Sequence, residues 1–492
     1  MIEAILLFPL IASLILILMK SKKWNNLLLI GYSIILLFNS TRIYLKLLSA
    51  GKLPYNLFGA YFNVDSLNIL FLLILAVIFV GVVIYNQGFV KNLDVSKSQH
   101  TYYSIGIILF VFSMTGAILS ANLALSWIFI EATTLASAYL IYFNKTKNAL
   151  EATWKYVFIC SIGIALAFVG IILLSIGTGK YNSLFFNELY SHSDKISPFW
   201  IKLSFVFILI GFGTKMGLAP VHAWLPDAHS EAPSPISALL SATLLNSAFL
   251  IILRFYKLME LTNTEYYAKI LLISMGILSL FITAVFVFNI NNYKRMLAYS
   301  SIENMGIIAI GIAVGGLGIY AAMLHLLAHS LIKSSFFLTA GNILKLYKTK
   351  RITEIGGILK LDKVTGWLWI LCFVAIAGLP PSPLFISEYL LLKAMFEKNQ
   401  IILAIIVIIL LTVIIYGMGK AVIRMSFGDI KTLKMSDNQL ISSERPAIKD
   451  ISYGMYIPQL VFITVALIFG IYMPSYINQM LHNAVLAVSS LT

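Results

Sequence analysis

Cysteine is nearly absent. The 492 residues hold only Cys160 and Cys372, both in apolar surroundings and neither at a metal-ligand spacing, which excludes an iron–sulfur, zinc or disulfide framework built by this chain. Charge is scarce too, at 11% of residues, with 20 acidic side chains against 35 basic ones. No stretch is polar for long enough to form a soluble domain. What fills the chain instead is hydrophobic: 60% of residues, with a mean hydropathy of +0.92. That balance belongs to a protein that crosses a membrane many times.

Apolar runs of about 20 residues, enough to cross about 30 Å of hydrocarbon, recur throughout. They predict crossings near 2–19, 26–45, 64–86, 103–120, 122–143, 152–176, 199–218, 232–255, 266–290, 297–315, 318–343, 364–379, 400–419 and 453–474, with short half-helices after the seventh and twelfth. The opening MIEAILLFPLIASLILILMK reads as a retained first helix rather than a signal peptide. The formal charge of +15 does not point to nucleic acid, because the lysines and arginines collect in alternate connections. Lys20 to Lys23, Lys91 and Lys97, Lys145 and Lys147, Lys294 and Arg295, the run from Lys345 to Lys363, and the polar 420–450 connection are therefore expected to be cytoplasmic, with both termini outside. The tail after Ile471 reads as a short amphipathic helix.

The stretch that organises the rest is FVFILIGFGTKMGLAPVHAWLPDAHSEAPSPISALLS, from Phe205 to Ser241. It sets Lys215 inside an apolar span, where a charge costs between about 2.5 and more than 10 kcal/mol and marks a functional site by default. Pro220, Pro226, Pro233 and Pro235 follow at once, so the helix must break. Broken helices at membrane depth persist only where protein or an aqueous cavity satisfies the backbone. GLAP at Gly217 to Pro220 is echoed by GLPP at Gly378 to Pro381, a hint of an internal repeat.

Other ionisable residues stand in the spans. Glu131 is a lone carboxylate in mid-span, read as a proton-exchanging partner of Lys215 or as a structural cap. His325, His329 and Lys333 recur at i, i+4 and i+8, so they share one helical face and suit a proton relay. A metal held by the two histidines is the weaker reading, because no carboxylate completes the set. Glu388 follows the second break and suits a terminal exchange site, whereas Lys393 snorkels to the interface. Glu303, after Lys294 and Arg295, is either a helix-start ion pair or a transport residue. His222, Asp227, His229 and Glu231 crowd the stretch after the first break and read as a hydrated inlet or a solvated loop. Asp65 reads as a helix N-cap that can pair with a neighbouring subunit.

GTKMGLAPVHAWLPDAHSEAPSPISALLS, KRMLAYSSIENMG and HLLAHSLIKSSFFLTAGNI resemble the hallmark stretches of the proton-antiporter-like membrane subunits of complex I, multisubunit Na⁺/H⁺ antiporters and energy-converting hydrogenases. The resemblance runs in order from Asp65 to Glu388, nearly the whole chain. It implies an all-α polytopic membrane protein of about fourteen transmembrane helices, with two inverted five-helix repeats, each holding a broken helix. Its divisions would be helices 1 to 3 over 1–102, the first repeat over 103–255, the second over 256–419, and a cytoplasmic loop with the last helix over 420–492. Carried over by position, Glu131 and Lys215 match the glutamate–lysine pair of the first half-channel. His325, His329 and Lys333 match the central relay, and Glu388 matches the exit residue. Asn246 stands where several complex I subunits have a lysine, so it supports a polar axis with His222, His229 and Glu303 but carries no proton itself. EATTLASA and SSIENMG look most like the component F type of hydrogenase-4 and formate hydrogenlyase complexes.

The expected role is thus ion translocation, of H⁺ with Na⁺ as the alternative, in the cytoplasmic membrane of a prokaryote. The expected partners are further antiporter-like membrane subunits, the lipid bilayer, and a peripheral redox arm with iron–sulfur or nickel–iron centres on other chains. No flavin, nickel, iron–sulfur or quinone motif is recognisable, so no cofactor is expected here. A component of a Na⁺/H⁺ antiporter, a stand-alone secondary transporter and an inactive spacer are the competing readings.

Overall fold

The computed structural model describes residues 1–50, 61–91, 95–179, 183–429 and 451–489. Among the described residues, twenty α-helices follow one another: α1 Ile2–Met19, α2 Lys22–Ala50, α3 Asn68–Lys91, α4 Lys97–Leu119, α5 Leu123–Ile141, α6 Lys147–Thr178, α7 Phe186–Ser191, α8 Pro198–Met216, α9 Trp224–Glu231, α10 Ser234–Leu239, α11 Leu245–Leu261, α12 Glu265–Phe286, α13 Tyr293–Val314, α14 Leu317–Tyr347, α15 Ile358–Leu361, α16 Lys363–Ile376, α17 Pro383–Glu397, α18 Ile401–Phe427, α19 Tyr453–Ile471 and α20 Ser475–Val488. A π-helical stretch, Leu240–Leu244, joins α10 and α11 into one span. Among the described residues, thirteen spans are long and apolar enough to cross a membrane. The remaining predicted crossing, the twelfth, is the 14-residue α16, shortened by the break after Ile376. The protein is a multi-pass membrane protein, all-α as expected. Most of the 420–450 connection lies outside the described residues; the part within them extends α18 to Phe427.

Burial sorts the helices into layers. The hydrophobic windows of Ser234–Leu261, Tyr293–Val314 and Leu317–Tyr347 are 100% buried, whereas that of α18 is only 28% buried. An all-round apolar helix such as α18 can face lipid without cost. The three central spans instead hold the buried polar side chains of Asn246, Glu303, His325, His329 and Lys333. Polar side chains go where other protein groups can meet them.

Helix starts follow from short polar side chains. Asn122 accepts from the amides of Ala124 and Leu125, and Asn292 accepts likewise from Lys294 and Arg295. Both starts are clipped by the same paired backbone bonds. The Leu123 amide donates to Leu184 while Phe186 donates to Ala121; the Tyr293 amide donates to Lys350 while Ile352 donates to Asn291. The helix breaks repeat as closely. Leu218 donates to Gly213 and Val221 to Leu218, just as Leu379 donates to Val374 and Ser382 to Leu379. In both breaks a left-handed glycine, Gly217 at φ 81° or Gly378 at φ 61°, turns the chain. One helix start lies by the lysine-poor 179–198 connection and its counterpart by the lysine-rich 345–363 connection, as inversion of the second half relative to the first requires.

Asp65 caps α3 through the amides of Leu67 and Asn68, and its other oxygen pairs with Arg254 of the same chain at 2.8 Å. The ion pair ties α3 to α11. The tail forms α20, fastened by Tyr44 to the Tyr476 carbonyl and by Lys257 to the Ala487 carbonyl.

Candidate functional site: a buried polar row

Lys215 ends α8 one residue before the helix gives way to the left-handed Gly217 and is wholly buried. Its Nζ donates to the Tyr156 hydroxyl at 3.0 Å and lies 4.7 Å from that ring's centroid. Tyr156 also bonds Ser137 at 2.6 Å, and its ring packs 5.0 Å from Trp224, whose indole donates to the Thr214 carbonyl. An aromatic face and a hydroxyl together stabilise a desolvated ammonium. Glu131, half-buried on α5, takes bonds from Ser161 at 2.9 Å and Thr134 at 3.1 Å. The structure therefore brings Glu131 and Lys215 within electrostatic reach but gives each its own hydrogen-bond partners.

Two residues beyond the π-helical stretch, Asn246 donates to Ser330 of α14 at 2.8 Å. Such bulges often mark functional positions. It links the span after the first break to the helix carrying His325, His329 and Lys333, all at most 1% exposed. Lys333 donates to the Leu297 carbonyl at 2.8 Å. His325 bonds Ser387 at 2.9 Å and Asn304 at 3.0 Å, joining α14 to α17 and α13. His329 has no partner for either ring nitrogen among the described residues, and neither does the Asn246 side-chain oxygen. Buried polar atoms left this way by protein are sites for ordered water.

Glu303 is not at a helix start. It is 5% exposed almost three turns into α13, and Lys333 and Glu388 are both within its electrostatic reach. The carboxylate of Glu388 lies against the backbone of Gly378, so close that a Cβ there would collide with Oε2. Lys215, Asn246, the histidine–lysine face and Glu303 are thus a row of buried polar residues, with half-buried Glu388 beyond Glu303.

The crowded stretch after the first break is mostly helical rather than a loop, with His222 in the turn before the helix. It folds into α9, where Asp227 pairs with Lys155 at 3.2 Å and Arg295 at 3.1 Å, and Glu231 pairs with Lys350 at 2.9 Å. His229 is fully buried and stacked on Phe337 at 4.8 Å; His222 is half-buried beside Tyr299. Among the described residues, no group of three His, Cys, Asp or Glu side chains is placed to hold an ion.

Sequence reasoning passed over Tyr156, Lys294 and Ser330. Tyrosines and serines are too common in apolar spans to stand out, and Lys294 reads as one more basic loop residue. The model of the transmembrane region of NADH:quinone oxidoreductase and Mrp antiporters matches residues 120–414, the segment that holds all of this row. The chain belongs to that family. It is 35% identical over 441 residues to the hydrogenase-4 component F homologue of Methylacidiphilum infernorum, covering 87% of this chain and 90% of the relative. It is 25% identical to a protein of Bacillus subtilis that forms part of a Na⁺/H⁺ antiporter, covering 88% of this chain and 84% of the relative. A chain of the membrane-bound sulfane sulfur reductase, an archaeal respiratory membrane complex, shares the fold with a TM-score of 0.87 at 23% identity, covering 99% and 97%. Family membership thus spans both breaks and the central row.

Proposed function

We propose that the chain is a proton-translocating, antiporter-like membrane subunit of a redox-driven multisubunit complex of the hydrogenase type. The carrying observation is the row of polar groups that gain and lose protons, with Lys215, His325, His329, Lys333 and Glu303 buried between helices and half-buried Glu388 beyond them. Amines and imidazoles exchange protons, whereas hard cations such as Na⁺ prefer oxygen ligands, so the row favours H⁺. The relationship to a hydrogenase-4 component F homologue over most of both chains supports the hydrogenase setting.

In this reading, 103–255 and 256–419 are the two inverted repeats. A charge change in a neighbouring subunit acts on half-buried Glu131. Withdrawing that carboxylate removes an attraction holding the proton on Lys215, so the lysine releases it toward Asn246 and its associated water. The proton passes to His325, His329 or Lys333 and leaves past Glu303 by Glu388. Each charge moved against 100 mV costs about 2.3 kcal/mol, which the redox chemistry of other chains must supply. The lysine-rich connections face the cytoplasm and both termini face outward. Membership of a Na⁺/H⁺ antiporter is the second reading, favoured by the likeness to the Bacillus subtilis antiporter protein over most of both chains.

The test is redox-driven H⁺ and Na⁺ movement in vesicles holding the assembled complex, wild type against Lys215→Ala, with electron flux recorded in parallel. Collapse of H⁺ movement with assembly intact is the expected result. Unchanged H⁺ per electron would make the chain a spacer, and loss of Na⁺ movement alone would favour the antiporter reading.

A further inference from the structure

A cavity of about 390 Å³ opens between the end of α12, the first two turns of α13 and the connection after α14. That volume falls within the range of small-ligand pockets, about 300–1,000 Å³. Arg295 and Arg351 both line it, with Asn289, Phe286 and Tyr299, and among the described residues no carboxylate does. The two arginines meet there through the backbone. An isolated bridge sets Arg351 beside Asn292, and Asn292 caps the first turn of the helix that carries Arg295.

The charge at this end of the bundle is in excess. Arg295 pairs with Asp227, but that one carboxylate also serves Lys155, so the three groups keep a net positive charge. Arg351 meets Glu354 with its side chain 71% exposed, a pair that solvent screens. Beneath the arginines the wall turns apolar. Phe286 stacks on Tyr299 with ring centroids 5.4 Å apart, and exposed Phe288 lies 5.9 Å from exposed Tyr416 of α18. Among the described spans α18 has the least buried hydrophobic window, and exposed Lys420 and Arg424 follow Tyr416 at i+4 and i+8. Aromatic rings between cations and an apolar helix are the pattern of a membrane–water boundary.

We infer that this cavity binds an anionic phospholipid, its phosphate between Arg295 and Arg351 and its acyl chains along the outer faces of α12 and α18. Guanidinium forks match phosphate oxygens in pairs, and the Asn289 amide supplies a further donor. Basic pockets beside transmembrane helices hold phospholipid heads, and the apolar wall suits the chains, for which a free phosphate has no counterpart. The site lies apart from the row between Lys215 and Glu388 and depends on no reading of what the chain transports.

The test is native mass spectrometry of the assembled complex, delipidated in detergent and titrated with phosphatidylglycerol, with phosphatidylcholine and inorganic phosphate as separate probes. At the concentration that saturates wild type, Arg351→Gln should hold one phosphatidylglycerol fewer per complex. About tenfold more should restore it, as for loss of one charge-assisted bond. Arg295→Gln should behave alike, since Lys155 still serves Asp227, whereas Lys147→Gln, which removes an exposed cation two turns before Lys155 on α6, should match wild type. Neither phosphatidylcholine nor inorganic phosphate should displace the bound lipid. Equal occupancy in wild type and both arginine variants overturns the site. Displacement by inorganic phosphate makes it a free-anion site, displacement by phosphatidylcholine removes its selectivity for charge, and loss of a neighbouring subunit from Arg351→Gln makes it a protein contact; each overturns the proposal. Should Arg295→Gln fail to assemble, Arg351→Gln decides alone.

Discussion

The two helix breaks share a backbone and differ in chemistry. Each has a left-handed glycine and the same sequence of amide-to-carbonyl bonds, yet the first places a basic side chain, Lys215, just before the turn, and the second places an acidic one, Glu388, ten residues after its glycine. The first charge is held by an aromatic ring and its hydroxyl; the second rests against bare glycine backbone. Backbone geometry therefore sets where the helix opens, while the side chains around the opening decide which charge it houses.

Substitution of the two glycines gives the largest contrast. Alanine at either site costs roughly 1–2 kcal/mol for a left-handed residue with a Cβ. At Gly217 the new carbon meets the flexible end of Leu225, which can move. At Gly378 it collides with the Glu388 carboxylate, so Gly378→Ala should also abolish H⁺ movement in vesicles while Gly217→Ala lowers only thermal stability. Equal transport in the two would break the comparison.

Tyr156→Phe comes next. It keeps the ring beside Lys215 and removes the acceptor of a hydrogen bond to a charge, worth about 1.5–3 kcal/mol. H⁺ per electron should fall about tenfold at unchanged assembly, and a wild-type value would mean that the ring alone holds the lysine.

Asp65→Asn tests the tie between α3 and α11 rather than either break. Arg254 is left one-tenth exposed without its carboxylate, but Asp65 is 37% exposed, so the loss should be about 1–2 kcal/mol rather than the ~3–5 of a fully buried pair. The melting temperature of the purified complex in detergent should fall while transport per assembled complex holds. The smallest effect is expected at Arg351, whose backbone clips the α13 start but whose side chain, 71% exposed, only meets Glu354. Arg351→Ala should change stability by less than ~0.5 kcal/mol, read from the same melting curve.

Lys215, His325, His329, Lys333 and Glu388 were legible in the sequence because a charge or imidazole in an apolar span has no inexpensive lipid-facing place. Glu303 was visible, but a helix-start ion pair and a transport role stayed open, since its distance along α13 says nothing of which neighbour it meets. Lys294 read as a surface residue because it adjoins Arg295, which does pair at the boundary, and the burial of His229 was hidden by Asp227 and Glu231 beside it.

Composition and spacing alone determined the membrane class, the succession of crossings, both breaks and the shared face of His325, His329 and Lys333. Those are local facts: hydrophobic length, proline and glycine backbone limits, and the 3.6-residue turn act within one segment. Tertiary structure alone decided that Tyr156 rather than Glu131 takes Lys215's hydrogen bond, that Asp65 pairs within the chain, and that Lys294 turns inward to a carbonyl 62 residues away. Each joins side chains far apart in sequence, and only helix packing sets which polar groups meet once water is excluded.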